Sequence, residues 1–268
     1  MNKTTFENFK QLVYEKSGIT LGPQKVALVT ARVAKRMRAL DIADHDEYLR
    51  YVIADSTTNE LVHLLDSIST NVTSFFRESA HYDFLTKLIE QWQVSSQPKF
   101  RIWCAASSTG EEPYCLAITT LEALGRSHPD FRILATDIST RALEAARVGT
   151  YSNAKLEPVS AGLRQKYFTR EGVGDSAEYT AKDELKRIIS FNRLNLSAPP
   201  FPMKGPMDVV FCRNVMIYFD NKVRQRLLDE VVRLLKPGGY LMIGHSESLA
   251  GINVPLSVVQ PAVYQKAP

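Results

Sequence analysis

Two adjacent acids, Glu111 and Glu112, open a helix-like run (EPYCLAITTLEAL) directly after a strand-like one (KFRIWCA), inside the loop CAASSTGEEPYC. A strand-to-helix loop of this kind holds a phosphate when it reads GxGxxG or GxxxxGK[ST], because backbone N–H groups must approach the anion. Neither pattern is present, Gly110 is the loop's one glycine, and the two carboxylates would repel a phosphate. The chemistry that fits is a nucleotide-like ligand without phosphate and with positive charge. S-adenosylmethionine, with its adenosine, sulfonium and amino-acid tail, meets that description. Both acids would also complement the helix dipole as ordinary first-turn residues, and Glu112 is favoured as the direct contact. Asp137 supports the same ligand: it ends the strand-like FRILATD, the position from which doubly wound folds hydrogen-bond ribose hydroxyls.

The elements that must position these residues fall into two regions. Residues 1–75 read as helices alone. TTFENFKQLVYEKSG offers Thr4 and Glu7 as a capping box, Phe6, Phe9, Leu12 and Val13 as an apolar stripe, and Gly18 as a stop. KVALVTARVAKRMRAL repeats the pattern with Val26, Val29, Val33, Met37 and Leu40; DEYLRYVIAD and TTNELVHLLDSIST, the latter with Thr57 and Glu60 as another box, complete a small bundle. Residues 76–268 alternate short apolar strands with amphipathic helices, which predicts an α/β fold with a parallel, doubly wound sheet covered on both faces. Its ligand is expected at the C-terminal ends of the strands. LLKPGGYLMIG reads as a helix ended by a Pro-Gly-Gly turn into a strand, and PLSVVQPAVYQK as a closing hairpin. Around 166–194, glycines at 172 and 174 between β-prone pieces predict a small antiparallel insert.

Composition bounds the rest. The chain has 268 residues, 44% of them hydrophobic and 23% charged, which excludes global disorder. No apolar run approaches a membrane span and the start lacks a signal-peptide pattern, so the expectation is a cytoplasmic protein without membrane insertion. Cys104, Cys115 and Cys212 lack CxxC spacing and read as buried thiols, with no metal site implied. A net charge of +4 permits an acidic partner without requiring one.

The phrases STNVTSFFR (69–77), AASSTGEEPY (105–114), ATDIS (135–139), FCRNVMIYF (211–219) and LLKPGGYLMIGHSE (234–247) stand together in an order that resembles the CheR family of chemotaxis receptor methyltransferases. The resemblance covers nearly the whole chain; a second serine in AASSTGEEPY is its one local departure. It implies a small N-terminal all-α domain followed by a Rossmann-like methyltransferase domain. It also implies transfer of a methyl group from S-adenosylmethionine to glutamates on the cytoplasmic helical region of chemoreceptors, as γ-methyl esters. Carried over by motif, the cofactor contacts are Asn71, Thr73, Arg77, Glu112, Asp137, Asn195, Leu196, Arg213 and Asn214, and the catalytic candidates are Arg77 and Tyr218. In some members of that family the insert grips a receptor C-terminal peptide and in others it does not; the sequence leaves both open. A monomer is the default.

A glutamate side chain has an ordinary pKa near 4.3 and is already ionised at neutral pH, so this transfer needs placement of a carboxylate oxygen rather than a general base. Lys25, Arg32, Lys35 and Arg36, in a stretch without acids from Lys25 to Arg38, are expected to dock an acidic receptor face, although such charges also serve as a plain solvated helix face. Rival readings are weaker. GHSES nearly spells a hydrolase elbow, yet no Asp, Glu or His follows Ser248 to complete a triad. A methyltransferase for nucleic acid or another protein would share the cofactor half, but where amino-group enzymes carry [DNS]-P-P-[YFW] this chain has CRNVMIY, and no nucleic-acid partner is expected. A binding module without turnover is disfavoured by the intact set of Arg77, Glu112, Asp137, Asn214 and Tyr218.

Overall fold

The computed structural model describes residues 1–95, 97–125 and 130–268. Its first four helices are α1 (Lys3–Ser17), α2 (Val26–Ala39), α3 (His45–Ala54) and α4 (Asn59–Ile68). Residues three and four apart bring one face of each inward: Phe9 and Val13, Val29 and Val33, Tyr48 and Val52, Leu64 and Ile68 close a separate core. Leu12, Val26 and Leu40 stay at its edge. Both expected capping boxes are corrected. Asn2 precedes Thr4 and its side chain already accepts the Thr5 N–H at 2.8 Å, so α1 starts earlier. At α4, Asp55 accepts the Glu60 N–H at 2.8 Å, which leaves the Glu60 side chain free to turn inward. Gly18 stops α1 in the left-handed region as expected.

Next come α5 (Ala80–Val94), β1 (Lys99–Cys104), α6 (Glu111–Leu124), β2 (Asp130–Asp137) and α7 (Thr140–Val148). β3 (Thr150–Ser152), α8 (Ala161–Tyr167), β4 (Phe168–Glu171), β5 (Glu178–Ala181), α9 (Asp183–Lys186) and β6 (Ile189–Arg193) follow. The chain ends with β7 (Met207–Cys212), α10 (Asn221–Leu234), β8 (Leu235–Ile243), β9 (Leu256–Gln260) and β10 (Val263–Lys266). Seven strands form one sheet in the order β6-β2-β1-β7-β8-β10-β9, parallel except for β10, which runs against both neighbours as the closing hairpin. Alternation along the strands serves two layers. Ile102 and Cys104 of β1 join the α5 and α6 side, and Trp103 packs with Leu227, Leu228 and Val231 of α10 on the other.

Two boundaries differ from expectation. The antiparallel insert is β3-β5-β4, within 150–181 rather than 166–194. Residues 189–193 are β-prone in either setting, but they pair in parallel with β2 as the edge of the main sheet, because the chain returns through α9 instead of turning back. Pro237 and Gly238 do not turn the chain between helix and strand: α10 ends before them, and they bulge within β8, where Met207 pairs with Leu235 and Val209 with Tyr240.

After β6 the chain crosses from one edge to the far side of β1, so the loops following β1, β2 and β7 diverge around a crevice, as expected at a topological switch point. The helical bundle closes it. Asp66 of α4 accepts the Thr140 N–H at 2.9 Å and its hydroxyl at 2.7 Å. At the other side, the Tyr14 hydroxyl donates to Asp220 at 2.6 Å and the Thr20 N–H to the Tyr218 carbonyl at 2.8 Å.

Candidate active site

The crevice has a volume of about 1200 Å³ including its open mouth. Its floor is the loop after β1. Gly110 begins α6 at φ 100°, and a side chain there would meet the Tyr151 hydroxyl at 2.7 Å and Ala146 at 2.9 Å, so only glycine lets the loop turn Glu112 toward the crevice. Glu112 is nearly buried and Arg213, at the end of β7, donates to it at 2.5 Å; the Cys104 thiol donates to its other oxygen at 3.2 Å. Glu111 points away, to Lys155 at 2.6 Å and the Thr109 hydroxyl at 2.6 Å. Of the two acids, Glu112 lines the crevice, the one favoured from the sequence as the direct contact.

Asp137 is buried at the tip of β2, where its carboxylate accepts the Ser139 N–H at 2.9 Å and the Ser108 N–H at 2.8 Å. Burial pushes its carboxyl above the usual range, while those two N–H groups pull it back. Each oxygen keeps a further lone pair for a ligand hydroxyl. Leu196 gives the crevice an apolar wall beside Leu194 and Phe219. Asn195 lines the same wall, with its amide occupied: it donates to the Lys16 carbonyl at 2.8 Å and accepts from Ser197.

Arg213 is 4% exposed, and both of its terminal nitrogens are engaged. Besides Glu112 it reaches Glu78 at 3.0 Å and the Arg77 carbonyl at 2.5 Å, and it lies over the Tyr82 ring. Burial opposes its charge, but Glu112 and Glu78 outweigh that and raise its pKa. Arg77 is the contrast: its side chain is exposed at the crevice, and its one hydrogen bond among the described residues is a long 3.4 Å bond to the Val72 carbonyl. Phe76 and Glu78, on either side, both have left-handed backbones (φ 52° and 57°), as do Ser108 (48°) and Asn214 (55°) at the crevice wall. Non-glycine residues held there store of order 1–3 kcal/mol each and gather at functional sites. The Phe76 N–H is anchored on the buried Cys115 sulfur at 3.1 Å.

Asn71, Thr73 and Tyr218 also line the crevice, and among the described residues the Tyr218 hydroxyl has no hydrogen-bond partner. Lys25 and Arg32 line it from α2 and the turn before it, with Arg32 bonded to the Ile68 carbonyl at 2.6 Å. Lys35 and Arg36 lie away from it. Arg36 forms a two-pronged pair with the buried Glu60, at 3.0 and 2.6 Å, and Tyr48 donates to the same carboxylate. Of the four expected docking residues, Arg32 and Arg36 each hold a partner within the bundle while remaining partly exposed, and Lys35, with Arg38 beside it, is exposed.

Sequence reasoning missed Glu247. Its carboxylate accepts the N–H groups of Gly244 (2.7 Å), Asn214 (2.8 Å), Met216 (2.8 Å) and Ile217 (3.3 Å), and so shapes the loop that presents Asn214 and Tyr218. The one available signal was an acid four residues past a strand end. The crevice therefore offers two carboxylate acceptors and an apolar wall, groups suited to a cationic nucleoside without phosphate.

Comparison with known proteins agrees. Residues 4–69 match the family described as CheR methyltransferase, all-alpha domain, and residues 71–264 match CheR methyltransferase, SAM binding domain. Chemotaxis protein methyltransferase 2 of Pseudomonas aeruginosa is 37% identical over 262 residues, 98% of this chain and 92% of that one. The chemotaxis protein methyltransferases of Salmonella typhimurium and Escherichia coli are each 36% identical over 259 residues, 97% of this chain and 88% and 89% of theirs.

Proposed function

This chain belongs to the CheR methyltransferase family and is an S-adenosylmethionine-dependent methyltransferase of chemotaxis; from that premise we propose that its acceptor is the glutamate side chain of chemoreceptor cytoplasmic domains. The product is then a glutamate γ-methyl ester, made in the cytoplasm. S-adenosylmethionine supplies an electrophilic methyl group on a sulfonium. In the proposed arrangement Glu112 faces the amino-acid end, Asp137 the ribose, and Leu196 with Asn195 the adenine. Asn71, Thr73 and Asn214 border the same space. No helix among the described residues is long and apolar enough to cross a membrane.

The observation that carries the acceptor assignment is the difference between two arginines in one crevice. Arg213 is buried and its two terminal nitrogens are taken by carboxylates and a carbonyl, whereas Arg77 is exposed and held by one long bond. An exposed guanidinium at the crevice suits an anionic acceptor, which it orients by a charge-assisted hydrogen bond. Tyr218, with its unpartnered hydroxyl, donates to the same group. No base is required, since the acceptor is ionised at neutral pH. Orienting its oxygen is the main contribution, an effect worth up to roughly 7–11 kcal/mol in favourable cases.

Peptide mapping by mass spectrometry tests this. A receptor cytoplasmic fragment incubated with the protein and the methyl donor should gain methyl groups on glutamates. Methyl groups found on lysine or arginine, or on added RNA, would overturn the assignment.

A further inference from the structure

Behind the crevice, Glu78, His81 and His245 converge so that one donor atom from each lies within 4.8 Å of the others. Glu78 and His81 are three residues apart across the start of α5, and His245 follows the end of β8. His81 Nδ1 is 3.6 Å from the Glu78 carboxylate, and the two imidazole rings are centred 4.9 Å apart. His81 is 0% exposed, and among the described residues neither of its ring nitrogens has a hydrogen-bond partner. His81 therefore carries two buried, unused ring nitrogens, groups that folded proteins usually supply with a partner.

We propose that Glu78, His81 and His245 form a binding site for a first-row transition-metal dication, with Zn²⁺ as its type. Two imidazoles and one carboxylate are a recurrent three-ligand set that leaves a fourth position open, with donor atoms about 3.3 Å apart for metal bonds of roughly 2.0–2.1 Å. The 3.6 Å pair is close to that already, and the exposed His245 can swing to meet it. Charge permits a cation: the carboxylates of Glu78 and Glu112 against the single guanidinium of Arg213 leave one negative charge, which exceeds the opposing dipole at the start of α5. Occupancy draws the Glu78 carboxylate from Arg213. Arg213 also holds the Arg77 carbonyl, so the site is coupled to the crevice and its occupancy slows methyl transfer.

The test is calorimetric titration of Zn²⁺ into tag-free, chelator-stripped protein, beside His245→Ala. That variant keeps the backbone N–H that bonds Glu78 and removes only the exposed ring. The wild type should bind one Zn²⁺ and the variant at least about tenfold more weakly, with equal melting temperatures for the two in chelator. Zn²⁺ should slow methyl transfer by the wild type and spare the variant. No binding by the wild type, equal binding by both, or equal slowing of both would overturn the proposal.

Discussion

Arg213 donates to Glu112 at 2.5 Å across the floor of the crevice, joining two positions 101 residues apart. The pair is buried, so its value lies in what happens when it is broken. Arg213→Met leaves Glu112 and Glu78 without their cation, and losing one partner of a buried pair costs about 3–5 kcal/mol. Arg213→Lys does not restore it, since a point ammonium cannot span two carboxylates and the Arg77 carbonyl. Urea denaturation measures both, and a loss under about 1 kcal/mol would show that the network is not structural.

Arg77→Ala should behave in the opposite way. The side chain is exposed, so stability should change by no more than about 0.5 kcal/mol. Loss of a hydrogen bond to a charged acceptor, about 1.5–3 kcal/mol, should lower kcat/KM for receptor methylation by roughly 10- to 150-fold. Steady-state kinetics on a receptor fragment, with a melting curve of the same preparation, separate the two effects.

Asp66 ties α4 to α7, and the segment after α4 forms one wall of the crevice. Asp66→Ala should cost about 1.5–3 kcal/mol through the unpaired groups of Thr140. It should also weaken S-adenosylhomocysteine binding by calorimetry, although Asp66 does not line the crevice. Unchanged affinity would mean that the wall holds its place without this tie.

The Tyr14–Asp220 bond predicts a pH dependence. Asp220 lies below its usual 3.8, first because of the Tyr14 hydroxyl and then the Val223 N–H. A carboxyl depressed on folding contributes stability that is present above 3.8 and is lost as pH falls through its folded value. Tyr14→Phe should therefore lower stability at neutral pH, and the loss should shrink in acid. Chemical denaturation at several pH values reads the difference, and a gap that widens in acid would contradict it.

On α2 the two kinds of cation should separate. Lys35→Glu with Arg38→Glu should raise KM for the receptor and leave cofactor affinity unchanged, because both side chains are exposed. Arg36→Glu should instead unfold the bundle by facing the buried Glu60 with a second carboxylate. Unchanged receptor kinetics in the double variant would remove docking by this face.

The legibility of the sequence followed the range of each interaction. Glu112 and Asp137 could be read because a strand end and a helix start are local patterns, and the fold places both at the crevice. The edge strand at 189–193 could not be told from a piece of the insert, since its partner β2 is set by long-range pairing. Arg36 looked free because Glu60 is 24 residues away, and Glu247 gave little sign because its four partners are backbone N–H groups. Helix starts slipped by a few residues where Asn2 and Asp55 took N–H groups that hydroxyl residues nearby could equally have taken.

Transfer of label from methyl-tritiated S-adenosylmethionine to a chemoreceptor cytoplasmic fragment, followed by mild base, tests the central claim most directly. A carboxyl methyl ester releases its label as volatile methanol, and that is the predicted result. Label that stays on the protein through base would place the methyl group on nitrogen or sulfur and contradict the account.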